Sequence, residues 1–364
     1  MTKKILILTP MSRQVVGFRA ALIEKLQSEG HTVAVITLDN EKEKEIVAKN
    51  IEFHCINGSN RSINPFKLSV LTKRYAALIE KIKPDIVMTF MIKPNIYGAL
   101  AAARVGVKNL FCMVEGAGDV FTKNGLKWKL MRKYVCFKYK KSFKHAKKVF
   151  FLNNDDKSEF IARGLVKETQ CEIIPGIGID VEEFAYKPFV NDKTFLMVAR
   201  MLKTKGVIEY CKAARAVKKK YPEAVFNYLG GEGDLTVSDI KEYIDDGSVN
   251  YLGTTNDVRP FYEDCTALVL PTYREGFPVC VMEAMAMGRA VIASDTNGCR
   301  DAVKNDENGF LVETRNVDKL IEKIVYCIEH TDEIKNMGEA AHGFAVENFD
   351  GVKINEQLYG LVMQ

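Results

Sequence analysis

The stretch ALVLPTYREGFPVCVMEAMAMG, residues 267–288, decides the architecture. Ala267–Tyr273 is an apolar, β-rich run that reads as a strand, and from Val279 the Ala and Met content favours a helix that Gly288 closes. Between them lies a Gly276-Phe277-Pro278 turn, with Glu275 before it and Glu283 eight positions further on, inside the helix. A residue at the carboxyl end of such a strand stands where open α/β sheets bind ligands, and the next helix offers unpaired N–H groups to anions. The two acids are expected to read hydroxyl groups and not to hold a metal.

Outward from this unit, strand-like and helical runs alternate. KKILILT, TVAVITL, EFHCIN, DIVMTF, NLFCMVE, KKVFFLN and CEIIPG form a first series, with one helix running through Leu26 and another from Pro65 to Lys83. TFLMVAR at 194–200 opens a second series, continued by AVFNYLGG, VNYLGT, ALVLPTY, AVIASDT and GFLVE. GIGIDVEEFAYKPFVNDK, residues 176–193, interrupts the periodicity and reads as a linker. A chain of 364 residues also exceeds the roughly 250–300 at which single cores stop growing. The expectation is an α/β protein of two facing, doubly wound Rossmann-like domains, 1–180 and 190–347, with the active site in the cleft. A C-terminal helix at about 348–364 packs back on the first domain.

Hydrophobic residues at 47% and charged residues at 27% describe a globular chain, and no run of eighteen apolar residues is present to cross a bilayer. The amino terminus, MTKKILILTP, enters a strand without the apolar core of a signal peptide, so a cytoplasmic protein is expected. Nine scattered cysteines, with no C-x-x-C pair, read as reduced thiols. The charge is lopsided: residues 1–180 carry 31 Lys+Arg against 17 Asp+Glu (+14), and residues 181–364 carry 21 against 30 (−9). Much of the excess lies in Lys123–Lys148, which holds eleven basic residues, no acid, and interleaved Trp128, Phe137, Tyr139 and Phe143. Such a helix is expected to lie on an anionic membrane surface. The alternative is an ordinary solvated face, and nucleic acid is not expected as a partner.

RMLKTKG, 200–206, places Arg200 at the end of a strand and Lys205 just before a helix. A bidentate guanidinium and a point-charge ammonium together can neutralise a diphosphate. With no D-x-D and no Cys/His cluster at metal-ligand spacing, a metal-independent reaction without a cofactor is expected.

R-x4-K followed by E-x7-E, in this order, resembles the family 4 retaining glycosyltransferases of GT-B fold. The resemblance implies that Arg200 and Lys205 grip the diphosphate of a sugar nucleotide, Glu275 reads hydroxyls of the donor sugar, and Glu283 binds the ribose. It further implies that Gly276, Phe277, Pro278 and Val279 line the donor site. GGEGDL at 230–235 and YLGTTNDV at 251–258 would border the base, with Gly231 and Leu252 among the contacts, and Gly17 of PMSRQVVGFR would approach phosphate.

In the amino-terminal half, Arg61-SINP, IKPNIYG (92–98) and VEGAGDVF (114–121) resemble the bacterial subgroup that extends polyprenyl-diphosphate-linked sugars. Its members transfer N-acetylgalactosamine onto lipid-linked diacetylated bacillosamine. Glu115 and Asp119 are candidates to reach sugar or acceptor, and none of the five histidines (31, 54, 145, 330, 342) matches the histidine that many family members carry. The implied activity is transfer from a UDP-sugar to a polyprenyl-diphosphate-linked saccharide, by a protein peripheral on the inner face of the plasma membrane. A sugar-nucleotide epimerase, a capsule, O-antigen or exopolysaccharide transferase, and a non-catalytic assembly protein are the alternatives.

Overall fold

The computed structural model describes residues 1–57, 65–116, 118–122, 125–188 and 193–364. They form two units, Met1–Ile174 with Val352–Gln364, and Pro175–Gly351. The first holds seven strands: β1 (Lys4–Leu8), β2 (Thr32–Thr37), β3 (Glu52–Cys55), β4 (Ile86–Phe90), β5 (Asn109–Val114), β6 (Lys148–Phe151) and β7 (Cys171–Ile173). Their order is β3-β2-β1-β4-β5-β6-β7, and every pairing is parallel. Helices cover both faces of such a sheet, which is why Ile5–Leu8 and Ile86–Met88 are apolar at successive positions instead of alternate ones.

The second unit repeats the plan with β8 (Thr194–Val198), β9 (Val225–Leu229), β10 (Asn250–Tyr251), β11 (Ala267–Leu270), β12 (Ala290–Ser294) and β13 (Gly309–Val312), in the order β10-β9-β8-β11-β12-β13. In each unit the first strand lies between its second and fourth. The chain winds away in both directions from β1/β4 and from β8/β11, opening a crevice at their carboxyl ends.

Three sequence expectations change. The helix expected through Leu26 is broken into Ser12–Val16 and Ala20–Ser28, with Gly17–Arg19 between. The stretch read as a linker touches the second unit at Gly176, Tyr186 and Lys187, although most of residues 181–188 are exposed. Gly176 abuts Phe277 and Met282, the Tyr186 ring meets His342 at 5.2 Å, and the Lys187 carbonyl accepts from the buried Arg289 guanidinium. The basic segment is not one helix: its helical part is Leu126–Phe143, and Lys148 begins β6. At the chain's end, helix Gly351–Met363 returns to the first unit, where the Tyr359 hydroxyl lies 3.2 Å from His31 Nε2.

Candidate active site

Arg200 and Lys205 follow β8 and Glu275 follows β11, so these three residues emerge at the switch point of the second sheet. Gly206 makes this approach possible. Its φ is +74°, and a Cβ there would overlap the Pro271 carbonyl, so only glycine lets this loop lie on the end of β11. The Lys205 ammonium then forms an ion pair with Glu275, whose Oε1 also accepts from Thr272 Oγ1 at 3.0 Å. Burial works against the Lys205 ammonium, but the Glu275 carboxylate outweighs it and holds Lys205 above the ordinary lysine range. Arg200 is exposed and forms no ion pair among the described residues.

Glu283, on helix Val279–Ala286, does not join this pair. Its Oε2 accepts from the Tyr262 hydroxyl at 2.8 Å. Burial raises the Glu283 carboxyl above the ordinary glutamate range, and the tyrosine bond partly opposes the shift. Arg289, fully buried, donates Nε to the Tyr262 carbonyl at 2.6 Å and Nη2 to the Glu263 carbonyl at 2.9 Å, fixing the segment that presents the phenol. Phe277 and Pro278 are buried, Phe277 edge-on to Phe349 at 5.3 Å, and Gly276 and Val279 are half-buried. Gly231 and the exposed Leu252 follow β9 and β10, held together by the Gly230 N–H donating to the Gly253 carbonyl at 2.8 Å.

In the first unit, Glu115 follows β5 and forms an ion pair with Arg19. The Arg19 guanidinium is buried 4.1 Å above the Phe90 ring, and burial brings its pKa down to about 9, so it remains a cation at neutral pH. Gly17 is exposed between the two short helices, and its φ of −101° lies outside the left-handed region. Arg61–Asn64, Ala117, Lys123 and the Asp119 side chain, all drawn into the sequence reading, lie outside the described residues.

The aromatic residues of the basic segment divide by helical face. Tyr139 and Phe143 are wholly buried in the core, packed with Phe160, so they cannot face a membrane as expected. Phe137 is 63% exposed, and Leu126 and Leu130, which the sequence reading passed over, are 74% and 60% exposed. Arg132 is half-buried and donates Nε to the Val120 carbonyl at 2.8 Å. Lys148 pairs with Glu172.

Tyr262 and Arg19 were missed as site residues. Arg19 stood in the quoted PMSRQVVGFR loop, where a lone arginine carries no signal until β5 brings Glu115 to it. Tyr262 had no signal at all.

Two family models match this chain: "Glycosyl transferase 4-like" over residues 4–153 and "Glycosyl transferases group 1" over residues 179–344. The chain belongs to this glycosyltransferase family and is a hexosyltransferase of GT-B architecture. It is 32% identical, over 86% of each chain, to N,N'-diacetylbacillosaminyl-diphospho-undecaprenol alpha-1,3-N-acetylgalactosaminyltransferase of Campylobacter jejuni. It is 30% identical to UDP-Gal:alpha-D-GlcNAc-diphosphoundecaprenol alpha-1,3-galactosyltransferase of Escherichia coli, over 76% of this chain and 74% of that one. Anabaena HepE in complex with UDP-glucose shares the fold, with a TM-score of 0.81 at 18% identity over 99% of both chains. The Campylobacter and Escherichia coli relatives are named as transferases, which sets aside the epimerase alternative.

Proposed function

We propose that this chain transfers N-acetylgalactosamine, or a related hexosamine, from its UDP-sugar to a saccharide carried on a polyprenyl diphosphate. Configuration at the anomeric carbon is retained, and no metal ion is required. The observation that carries this reading is an uncommitted Arg200 on the same loop as the Lys205–Glu275 pair, at a sheet switch point. The 32% identity to a transferase named for this donor sugar and a lipid-diphosphate acceptor supports the choice of substrates.

In the reaction the bond from the anomeric carbon to the β-phosphate oxygen breaks, and a bond to an acceptor hydroxyl oxygen forms on the same face. The hydroxyl proton passes to the departing phosphate oxygen. Negative charge grows on that phosphate, where Arg200, Lys205 and the first-turn N–H groups of helix Val279–Ala286 stabilise it. Glu275 reads donor-sugar hydroxyls while keeping Lys205 charged. Glu283, oriented by Tyr262, accepts from the ribose hydroxyls, and Leu252 and Gly231 border the base. Glu115, fixed by Arg19, is assigned to the acceptor, with Gly17 close to phosphate. The protein works as a peripheral enzyme on the inner face of the plasma membrane, held by the Leu126–Phe143 helix.

Mass-spectrometric detection of product from UDP-N-acetylgalactosamine, UDP-N-acetylglucosamine or UDP-galactose, each with polyprenyl-diphosphate-linked diacetylbacillosamine, tests the reading. The galactose donor is included because the E. coli relative is named for it. Product whose anomeric configuration, read by NMR of the purified product, is inverted, or no product from any donor, would overturn the proposal.

A further inference from the structure

The first unit carries a second basic feature, on the flank of the proposed membrane helix and away from the ligand-binding ends of its strands. At steps of four and three residues, Leu126, Leu130, Lys133, Phe137 and Lys140 form one stripe along Leu126–Phe143. One residue round the helix, Tyr134, Lys138 and Lys141 form a parallel stripe, and these three, with His145 just past the helix end, line a cavity of about 230 Å³ together with Tyr97 and Arg104. That volume is below the roughly 300–1,000 Å³ usual for drug-sized ligands, which suits a small polar group better than a sugar nucleotide.

Among the described residues the lining contains cations and hydroxyl donors but no carboxylate. Tyr97 is 5% exposed, and its hydroxyl lies 3.4 Å from that of Tyr134. The Lys138 ammonium lies 5.4 Å over the Tyr134 ring, and Arg104 and Lys141 are exposed at the rim. This lining is complementary to a phosphate, and the exposed Leu130 and Phe137 beside it are complementary to acyl chains. We infer that the cavity seats the phosphate of an anionic phospholipid headgroup, an inference that rests on the membrane-surface reading above.

Topology favours a phospholipid over the diphosphate of the acceptor. Helix Ala99–Val105 follows β4, and helix Leu126–Phe143 precedes β6, so Arg104, Lys141 and His145 stand near the turns that lead into β5 and β6. These turns enter the amino-terminal edge of the sheet, whereas Arg19 and Glu115 follow its carboxyl ends. A phosphate seated there is on the opposite edge from the groups assigned to the reacting sugar.

The test titrates the full-length protein with dihexanoyl-phosphatidylglycerol below its micelle concentration, with farnesyl diphosphate, and with phosphatidylglycerol and phosphatidylcholine vesicles. Arg104→Gln with Lys138→Gln, and separately Ala103→Phe to fill the cavity, should each weaken the short-chain phosphatidylglycerol about tenfold or more. UDP affinity and melting temperature confirm folding. Leu130→Ser with Phe137→Ser should lose vesicles yet keep the short-chain lipid. Unchanged short-chain affinity in both cavity variants, or no such affinity in the wild type, would overturn the inference. So would farnesyl diphosphate binding tenfold more tightly than the phospholipid, which would assign the cavity to the acceptor. Wild-type failure to bind any vesicle defeats the membrane reading instead, and the short-chain titration still decides the cavity.

Discussion

Lys205 and Glu275, seventy residues apart in the chain, form an ion pair at the carboxyl ends of β8 and β11. The pair arises because Gly206 lets the β8 loop lie on Pro271. It divides the labour of the donor site. On the proposed roles, a diphosphate would compete with Glu275 for the ammonium, and the released carboxylate would turn to the sugar. Lys205→Ala should weaken UDP by about ten- to hundredfold, since a hydrogen bond to a charged group contributes ~1.5–3 kcal/mol. Glu275→Gln should leave UDP affinity within about threefold, because the ammonium is no longer held back, and should lower turnover by at least about tenfold. Calorimetric UDP titration beside steady-state rates separates the two. Equal loss of UDP affinity in both variants would contradict this division.

Glu283 is expected to behave differently because its contacts are to Tyr262. Glu283→Ala should weaken UDP itself, while Tyr262→Phe should weaken it less, by the ~0.5–1.5 kcal/mol of a typical hydrogen bond. UDP titration measures both, and a Tyr262→Phe effect as large as that of Glu283→Ala would remove the carboxylate from the ribose site.

Burial raises the Glu283 carboxyl, and the sign of the pH effect follows. A carboxyl raised on folding contributes stability that is fully present below its unfolded value, about 4.3, and is lost as pH rises through the folded value. Above the folded value the apo-protein carries a buried carboxylate at a cost, and there Glu283→Gln should melt at a higher temperature than the wild type. The gap should close as pH falls toward the unfolded value. UDP affinity of the wild type should fall over the same range as its ribose acceptor is protonated. A Glu283→Gln variant that melts lower than the wild type above the folded value would show that the carboxylate is not strained by burial.

Chelation provides a fourth test. With Arg200 and Lys205 supplying positive charge at the departing phosphate as proposed, millimolar EDTA should leave the transfer rate within about twofold. Loss of activity in EDTA that manganese restores would show that the two side chains do not suffice.

Much of this arrangement was legible because its determinants are local. The Arg200–Lys205 spacing and the Glu275–Glu283 spacing each span one strand end and the helix after it, and a parallel sheet places all such junctions along one edge. Tyr262 was illegible because its bond to Glu283 depends on how a separate short helix packs, with buried Arg289 fixing its carbonyl. The aromatic face of the basic segment was misread for another reason. Composition joined lysines with aromatic residues, but the spacing of Val135, Tyr139, Ser142, Phe143 and Ala146 at helical steps already marks a buried face. The residues left to meet a membrane are then Leu126, Leu130 and Phe137, two of them aliphatic.

That division changes how membrane attachment is tested. Arg132 donates to the Val120 carbonyl and is half-buried, so replacing it would disturb the fold as well as the charge. Lys127, Lys129 and Lys133 are exposed, and no ion pair holds them among the described residues. Their joint replacement by glutamine should weaken binding to phosphatidylglycerol vesicles about a hundredfold, at ~1 kcal/mol for each basic residue near an anionic surface. Raising the salt should reproduce the loss in the wild type, because exposed charges are screened beyond about 8 Å at physiological ionic strength. Leu126→Ser with Phe137→Ser should also weaken vesicle binding, but with little salt dependence, since the apolar contribution is not screened. Transfer to a long polyprenyl acceptor in vesicles should fall in parallel with binding, while transfer to a short soluble analogue should hardly change. Sedimentation of each variant with vesicles across a salt series decides the matter. Equal binding by the triple variant and the wild type at low salt would return Leu126–Phe143 to an ordinary solvated helix and leave the donor site as described.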